Sequence, residues 1–288
     1  MNVYYYTPAD LGLASWPAGE MRLGGFTPTT DPYLADAFCL PPITHWVKAQ
    51  LANLPYLEGR ERRHVVWNVA DDYDEPLGIK CLALRCDANK GLLRAEPWTK
   101  CWPWPVEDLY EPAVPFQFDV VFQGWASTPL TDTVVESVGR MAHLNTHLAR
   151  YPFFYGYHDK DPDYAHYRQS FINTLRASRL SLVPRSIPSG VIRYRFYEAL
   201  SAGRVPVQFN DNVVLPWPDK IDWTKCSIHI DESHADHAGE ILADWLSKHT
   251  DDEIRSMGEY GRLAWQRWLN PRAWESLFGE AVKEWLNE

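Results

Sequence analysis

The fold is decided by residues 179–231, which read RLSLVPRSIPSGVIRYRFYEALSAGRVPVQFNDNVVLPWPDKIDWTKCSIHID. The apolar run at 180–183 predicts a buried strand, and a loop rich in Pro, Ser and Gly follows it at 184–190. A helix is predicted at 194–202 because a glycine, the usual residue just past a helix end, follows it. Residues 205–209 predict a second strand. Strand, loop, helix and strand make a βαβ unit with parallel strands, so this stretch predicts an α/β fold.

Three arginines lie around the loop of this unit. Arg185 begins the loop, and Arg193 and Arg195 lie at the N-terminal end of the helix, where N–H groups and the dipole favour an anion. A planar guanidinium binds phosphate oxygens in pairs. Open α/β sheets bind ligands beyond the carboxyl ends of their strands, so the loop is a candidate diphosphate site. The same site is predicted to include Ser189, Gly190 and Asn210.

Glu198 allows two interpretations. It follows Arg195 by three residues, so the two side chains share a helical face. A carboxylate one turn deeper than the arginines suits a pair of ribose hydroxyls. The alternative is an ordinary surface ion pair between Arg195 and Glu198, which is the commoner meaning of an isolated R-x-x-E.

Short motifs of this stretch, in order, resemble those of the exostosin-like glycosyltransferases. EAL at 198–200 followed by GRVPV at 203–207 is similar to the E-A-hydrophobic…G-x-P-V signature of two-domain (GT-B) glycosyltransferases. The longer exostosin pattern is matched by LVPR at 182–185, YRFYEAL at 194–200, AGRVPV at 202–207, LPW at 215–217, IDW at 221–223 and DE at 231–232. Ser186 occupies a position where the family pattern has Gly. FQG at 122–124 resembles a further family motif, which implies that Gly124 approaches the donor.

The resemblance implies an α/β protein of the GT-B type, with two Rossmann-like domains facing across a cleft. We expect an acceptor-side domain at 1–155, a nucleotide-sugar-binding domain at 156–270 and a helix at 271–288 that crosses back to brace the first domain. The implied activity moves a sugar from a nucleoside diphosphate sugar, such as a UDP-sugar, to a hydroxyl of a glycan. The reaction is expected to invert the anomeric carbon and to need neither a metal nor another cofactor. Polysaccharide biosynthesis is the implied setting.

Three carboxylates of the first domain are candidates for the catalytic base. The strand predicted at 64–68 and the acidic turn after it resemble a family strand, and Asp72, or else Asp71, could take the proton of the acceptor hydroxyl. Asp10 follows the first strand and is the third candidate. The alternative is that all three are ordinary turn carboxylates. The D-x-D spelled by the acidic turn is discounted as a metal motif, because the resemblance is to the metal-independent architecture.

Helical periodicity predicts three further helices, at 131–148, 164–178 and 252–269. Thr250 and Glu253 form a capping-box pattern at the start of the last of these.

Composition limits the partners that we expect. The chain has 288 residues and a formal net charge of -10, which argues against nucleic acid or an anionic membrane as the main partner. The first residues lack the pattern of a signal peptide, and no apolar run is long enough to span a membrane. The five cysteines form no C-x-x-C and are read as reduced thiols. A cytoplasmic bacterial or viral relative of the exostosins is therefore expected, with a nucleotide sugar and a glycan acceptor as partners.

Two alternatives stay open at this point. The acceptor could be a protein or a modified base of viral DNA instead of a glycan. The chain could also bind a sugar nucleotide or a glycan without catalysing transfer.

Overall fold

Two compact units make up the chain in the computed structural model. The first contains Met1–Trp104, Asn212–Pro216 and Trp268–Glu288, and the second contains Pro105–Asp211 and Trp217–Arg267. The structure describes residues 1–7, 10, 23–40, 51–68, 76–86, 88–125, 128–151, 163–185 and 192–288.

The strands of the described residues are all short, and most are strongly buried. They are β1 (Asn2–Tyr5), β2 (Thr27–Thr29), β3 (Ala37–Cys39), β4 (His64–Asn68), β5 (Leu82–Arg85), β6 (Thr99–Cys101), β7 (Phe118–Trp125), β8 (Thr146–Tyr151), β9 (Ser178–Pro184), β10 (Val205–Phe209) and β11 (Ile228–His229).

The α-helices of the described residues are α1 (Lys90–Ala95), α2 (Pro129–Gly139), α3 (Tyr164–Arg176), α4 (Tyr194–Ser201), α5 (Ala238–Ser247), α6 (Asp251–Ala264) and α7 (Trp274–Asn287). Short 3-10 segments lie at Pro32–Leu34, Leu51–Asn53, Glu61–Arg63, Trp223–Lys225, Glu232–His237 and Pro271–Ala273, and a π-helical segment lies at Trp265–Leu269. Among these helices, none combines the length and the apolar character needed to cross a bilayer.

The first unit is built on a six-stranded sheet in the order β2-β1-β3-β4-β5-β6, in which each neighbouring pair is parallel. Its strands β3 and β5 are buried along their whole length, which is typical of parallel sheets covered on both faces. Helix α7 packs within this unit. The ring of Phe278 stacks on Trp102 with 4.5 Å between centroids, and Trp274 meets Trp67 edge-on at 5.4 Å.

The second unit is built on a five-stranded parallel sheet in the order β11-β10-β9-β7-β8. The predicted βαβ unit is confirmed as β9, α4 and β10, whose strands pair from Leu180 opposite Val205 to Pro184 opposite Phe209. Gly203 lies in the turn just after α4 and has φ 69°, a backbone conformation that is unfavourable for residues with a Cβ. The predicted α/β class with two parallel sheets is therefore confirmed.

The helix predicted at 131–148 is wrong in its second half. Helix α2 ends at Gly139, and Thr146–Tyr151 forms β8, which pairs with β7. Leu144 and Leu148 pack against the same core as Val134 and Val138 of α2. The apolar stripe therefore continues past the end of the helix because both elements cover one core, and this continuity produced the error.

The domain limits expected at residues 155 and 270 remain a prediction. The segment 152–162, where the first limit was placed, lies outside the described residues. The second sheet itself begins at Phe118, because β7 lies between β8 and β9 and hydrogen-bonds to both. The expected first domain ends at residue 155. The second compact unit, however, already begins at Pro105.

Candidate functional site

The strand order of the second sheet has a point where the chain reverses direction. From β7 the chain continues to β8 on one side, and it then returns to β9 on the other side of β7. In open parallel sheets, ligands bind at the carboxyl ends of the two strands that flank such a point. These strands are β7, which contains Gly124 near its end, and β9, which Arg185 follows directly.

Three of the predicted site residues are brought to this edge by parallel strands. Gly124, Arg185 and Asn210 lie at or just after the ends of β7, β9 and β10. Within the described part of the chain, a Cβ placed on Gly124 would meet only the ring of Phe122, at 3.9 Å, so the backbone there is open to close approach from these residues. Asn210 is buried. Ser189 and Gly190 lie outside the described residues.

Arg185 is held by a carboxylate to which the sequence analysis gave no role. Its Nε donates to Oε1 of Glu232 at 2.6 Å, and its backbone N–H donates to the carbonyl of Phe209 at 3.2 Å. Glu232 is itself fixed, since its N–H donates to Oδ1 of Asp211 at 3.1 Å. This carboxylate orients the guanidinium and also offsets part of its charge.

Arg193 lies directly before the first residue of α4, at the N-cap position. Its Nη2 donates to the carbonyl oxygen of Arg185 at 3.3 Å. Burial lowers the pKa of Arg193 to about 10, with a contribution from the neighbouring Arg195. The guanidinium therefore remains charged at neutral pH, and it adds positive charge at the N-terminal end of the helix, where the helix dipole already favours an anion.

Glu198 lies one turn into α4, and its side chain is only 3% exposed. Oε2 accepts a hydrogen bond from Nη1 of Arg195 at 3.0 Å, so the ion pair considered as the alternative interpretation is formed. Oε1 accepts from Nη1 of Arg168 at 2.5 Å. The ion pair between Arg195 and Glu198 therefore has a buried carboxylate and is not an ordinary surface pair. Arg168 joins it, so the three side chains form a cluster.

Arg168 is a residue that the sequence analysis missed. It comes from α3, 30 residues before Glu198, so no local spacing could reveal the contact. Its Nη2 also lies 3.2 Å from Oε2 of the exposed Glu107. Burial lowers the pKa of Arg168, but the charge of Glu198 and hydrogen bonds to both carboxylates outweigh burial and raise the pKa overall.

An aromatic ring lies beneath both arginines of this cluster. The guanidinium carbon of Arg195 is 3.4 Å from the centroid of the Phe171 ring, and that of Arg168 is 5.6 Å from it. Such contacts between a cation and a ring orient the guanidinium planes. Burial raises the pKa of the adjacent Tyr194, which therefore stays neutral as a phenol.

Asp211, His229 and Asp231 are the residues of the described chain whose side chains could converge on a metal ion. Their ligand atoms lie within 4.8 Å of one another, and all three residues are exposed. Exposed acidic groups often lie this close without an ion, so the arrangement does not by itself indicate a metal. The expectation that no metal is needed remains a prediction.

The carboxylate of Asp10, one of the three candidate bases, accepts hydrogen bonds from nearby residues of the first unit. Its Oδ2 accepts from the backbone N–H of Thr7 at 2.7 Å, from Oγ1 of Thr7 at 2.8 Å and from the hydroxyl of Tyr4 at 3.0 Å. Burial and this hydrogen bond raise the pKa of Tyr4 to about 12. These contacts tie Asp10 to Tyr4 and Thr7, at and just after the end of β1. Asp71 and Asp72 lie outside the described residues, and the identity of the base stays a prediction.

Comparison with known proteins shows which family this part of the chain is similar to. Residues 120–245 match the family model described as the exostosin GT47 domain. Exostosin-1 of Drosophila melanogaster is 41% identical over 102 residues, which are 35% of this chain and 13% of that protein. An Exostosin-1 homolog of Caenorhabditis elegans is 36% identical over 75 residues, which are 26% of this chain and 19% of that protein. The chain thus spans only a small part of the length of these two relatives.

The fold is similar to that of a solved structure, a glycosyltransferase from Rickettsia africae ESF-5. The TM-score is 0.55 at 12% sequence identity, and the match covers 89% of this chain and 78% of the other. At this identity the likeness concerns the fold alone. The structural neighbours are GT-B glycosyltransferases, so the predicted GT-B fold is confirmed, as is the resemblance to the exostosin-like family.

Proposed function

We propose that the protein is a glycosyltransferase, from the premise that residues 120–245 match the family model of the exostosin GT47 domain. Its donor is a nucleoside diphosphate sugar and its acceptor is a hydroxyl group of a glycan. The observation that carries the proposal is the group of Arg185, Arg193 and Arg195 at the carboxyl edge of the second sheet, beside the N-terminus of α4.

In the proposed reaction the acceptor oxygen bonds to the anomeric carbon with inversion, and the bond from that carbon to the diphosphate breaks. Negative charge then builds up on the departing diphosphate. The three arginines and the N–H groups of α4 stabilise this charge, a role that a divalent cation fills in other enzymes. The proton of the acceptor goes to a carboxylate, for which Asp72 is the first candidate, followed by Asp71 and Asp10.

Glu198 has a separate role in the proposal. Its carboxylate accepts the hydroxyl groups of the donor ribose, one helical turn from the arginines that bind the diphosphate. Arg168 and Arg195 fix the position of this buried carboxylate, and a fixed acceptor one turn from the arginines supports a defined recognition role. The same proposal includes a cytoplasmic location and a part in polysaccharide synthesis, and both of these are based on the sequence alone.

Calorimetry across UDP-, GDP-, dTDP- and CMP-sugars tests the donor class. We expect one nucleotide to bind in the presence of a chelator as well as without it. Arg195→Ala should weaken that binding about tenfold or more, because it removes a charge-assisted hydrogen bond. Glu198→Ala should weaken the nucleoside diphosphate and spare pyrophosphate, which has no ribose.

Arg179→Ala is the matched control for Arg195→Ala. Its side chain is 25% exposed, against 22% for Arg195, and it pairs with Asp119 and Asp251 at the amino end of β9, away from the predicted site. Nucleotide affinity should be unchanged in this variant. Folded Arg195→Ala and Glu198→Ala proteins with wild-type affinities would refute the proposed site. Binding of a nucleotide sugar without hydrolysis or transfer would favour the non-catalytic alternative.

A further inference from the structure

The carboxylate of Glu198 has two arginine partners that come from different helices. Arg168 of α3 contacts Oε1 at 2.5 Å, and Arg195 of α4 contacts Oε2 at 3.0 Å. The Glu198 side chain is 3% exposed, whereas those of Arg168 and Arg195 are 21% and 22% exposed. A carboxylate buried to this degree is strongly disfavoured if it loses its counter-charges.

The two arginines are anchored differently. Arg168 pairs with a second carboxylate, that of Glu107, at 3.2 Å, so it is held on both sides. Among the described residues, Arg195 has one carboxylate partner, Glu198, besides its contact with the Phe171 ring, and it lies in the first turn of α4, next to Arg193. We therefore expect the Arg195 guanidinium to turn toward a phosphate when the donor binds, while the Arg168 guanidinium stays paired with Glu198.

From this asymmetry we infer that Arg168 is a positioning residue, the permanent counter-ion of Glu198 that allows Arg195 to exchange Glu198 for the donor diphosphate. The inference rests on the proposed function. When Arg195 moves to the diphosphate, Oε2 of Glu198 becomes available to the ribose hydroxyls, and Arg168 keeps the buried carboxylate compensated. Without Arg168 the exchange would leave a buried charge with no guanidinium partner, so the ribose contact would be lost.

A purely structural role for Arg168, as a tie between α3 and α4, makes a different prediction. The two helices already share an apolar cluster of Leu109, Phe171, Leu175, Ala199 and Ala202. The Arg168 guanidinium contacts one member of this cluster, the Phe171 ring at 5.6 Å, and the apolar packing is made by the other side chains, so variants at Arg168 are expected to fold. A structural tie would affect all ligands of the site equally. A counter-ion of Glu198 would affect ligands with ribose hydroxyls more strongly, because they lose the ribose contact as well as part of the Arg195 contact with the diphosphate.

The test compares UDP, GDP and ADP with their 2′,3′-dideoxy analogues by calorimetry on the full chain. For the nucleotide that binds the wild type, Arg168→Met should lose about tenfold or more in affinity. The same variant should lose clearly less affinity for the dideoxy analogue, because that ligand has no ribose contact to lose and is weakened only through the Arg195 exchange. Arg168→Lys keeps the positive charge and should lose less than Arg168→Met. Arg168→Gln serves in place of Arg168→Met if circular dichroism shows that the Met variant is unfolded.

Arg176→Met is the matched control. It lies on the same helix, its side chain is 20% exposed, and it pairs with Glu111 at 2.5 Å. Its affinity for both ligands should equal that of the wild type. Equal losses for the nucleotide and its dideoxy analogue in Arg168→Met, or a Lys variant as weak as the Met variant, would overturn the inference alone. A wild type that binds no nucleoside diphosphate would overturn the proposed function, and the inference with it.

Discussion

The Nε atom of Arg185 lies 2.6 Å from Oε1 of Glu232, so a carboxylate covers one side of a guanidinium that is predicted to bind phosphate. The two side chains are 24% and 21% exposed, so solvent screens their attraction only in part. The backbone N–H of Asp211 also donates to Oε1 of Glu232, at 3.4 Å. Glu232 therefore competes with an incoming anion for Arg185.

Replacing Glu232 by Gln should strengthen anion binding. The amide keeps the size and an acceptor oxygen of the side chain but removes its negative charge, so Arg185 is offered to phosphate without a competing carboxylate. A partly screened pair contributes about 0.5–1 kcal/mol, which corresponds to a gain of about two- to fivefold in the affinity for pyrophosphate. Calorimetry at low salt measures this directly.

Glu111→Gln is the control for this experiment, because Glu111 pairs with Arg176 in the same way but outside the predicted site. Its affinity for pyrophosphate should match that of the wild type. Weaker binding by Glu232→Gln would show instead that Glu232 acts by orienting Arg185 and that the orientation matters more than the charge.

Local sequence signals predicted the elements of the site well, and the physical reason is their short range. A buried apolar run, a helix with a glycine after its end and a second apolar run specify β9, α4 and β10 within 32 residues of chain, and the bounds of β10 were predicted as found. The capping box of Thr250 and Glu253 is confirmed for the same reason.

The pairing of charges could not be predicted, because it depends on contacts between distant segments. Arg168 is 30 residues from Glu198, and Arg185 is 47 residues from Glu232. The sequence shows that arginines and carboxylates surround the loop, but it does not show which carboxylate neutralises which arginine. That choice follows from the order of strands in the sheet, which brings the ends of β9 and β11 to the same edge.

Gly258→Ala should destabilise the second unit. A Cβ at Gly258 of α6 would lie 2.3 Å from the carbonyl oxygen of Gly203, and this neighbour is backbone that cannot move aside alone. Overpacking of this kind costs up to about 3 kcal/mol, which exceeds the gain of about 1 kcal/mol from replacing glycine by alanine in a helix. Urea unfolding should therefore show a loss of up to about 2 kcal/mol.

Gly139→Ala provides the comparison for this prediction. Its Cβ would lie 3.5 Å from Cδ1 of Leu148, an ordinary contact, so stability should be unchanged or slightly raised. If Gly258→Ala were as stable as Gly139→Ala, the close approach of α6 to the turn after α4 would be incorrect.

Thr250→Ala should weaken the start of α6. Oγ1 of Thr250 accepts from the N–H of Glu253 at 3.3 Å, and Oε2 of Glu253 accepts from the N–H of Thr250 at 2.7 Å. Loss of an N-cap side chain typically costs about 1 kcal/mol. Denaturant unfolding of Thr250→Ala and of the control Ser256→Ala measures the difference. Ser256 is exposed and bonds only within α6, so an equal loss in both variants would argue against a specific contribution of the cap.

His64 should make the stability of the first unit depend on pH. Its side chain is fully buried, with Nε2 2.8 Å from the hydroxyl of Tyr6 and Nδ1 2.9 Å from the carbonyl of Arg60. Burial lowers the pKa of His64 below its ordinary value, and the hydrogen bond to the Arg60 carbonyl opposes this shift only in part. The folded protein therefore binds this proton less readily than the unfolded chain does.

The sign of the pH effect follows from this difference. The stabilising contribution of neutral His64 is fully present above the unfolded pKa of about 6.5 and is lost as the pH falls below it, by at most about 1.4 kcal/mol per pH unit. Urea unfolding between pH 7.5 and 5.5 should show a steeper loss of stability in the wild type than in His64→Gln, which has no proton to gain. The exposed His234 provides the control, since His234→Gln should keep the wild-type slope. Equal slopes in all three proteins would contradict the prediction, because they would mean that the pKa of His64 is the same in the folded and unfolded chains. A shallower slope in the wild type than in His64→Gln would mean that the fold retains the proton, with the imidazolium as donor to both Tyr6 and Arg60.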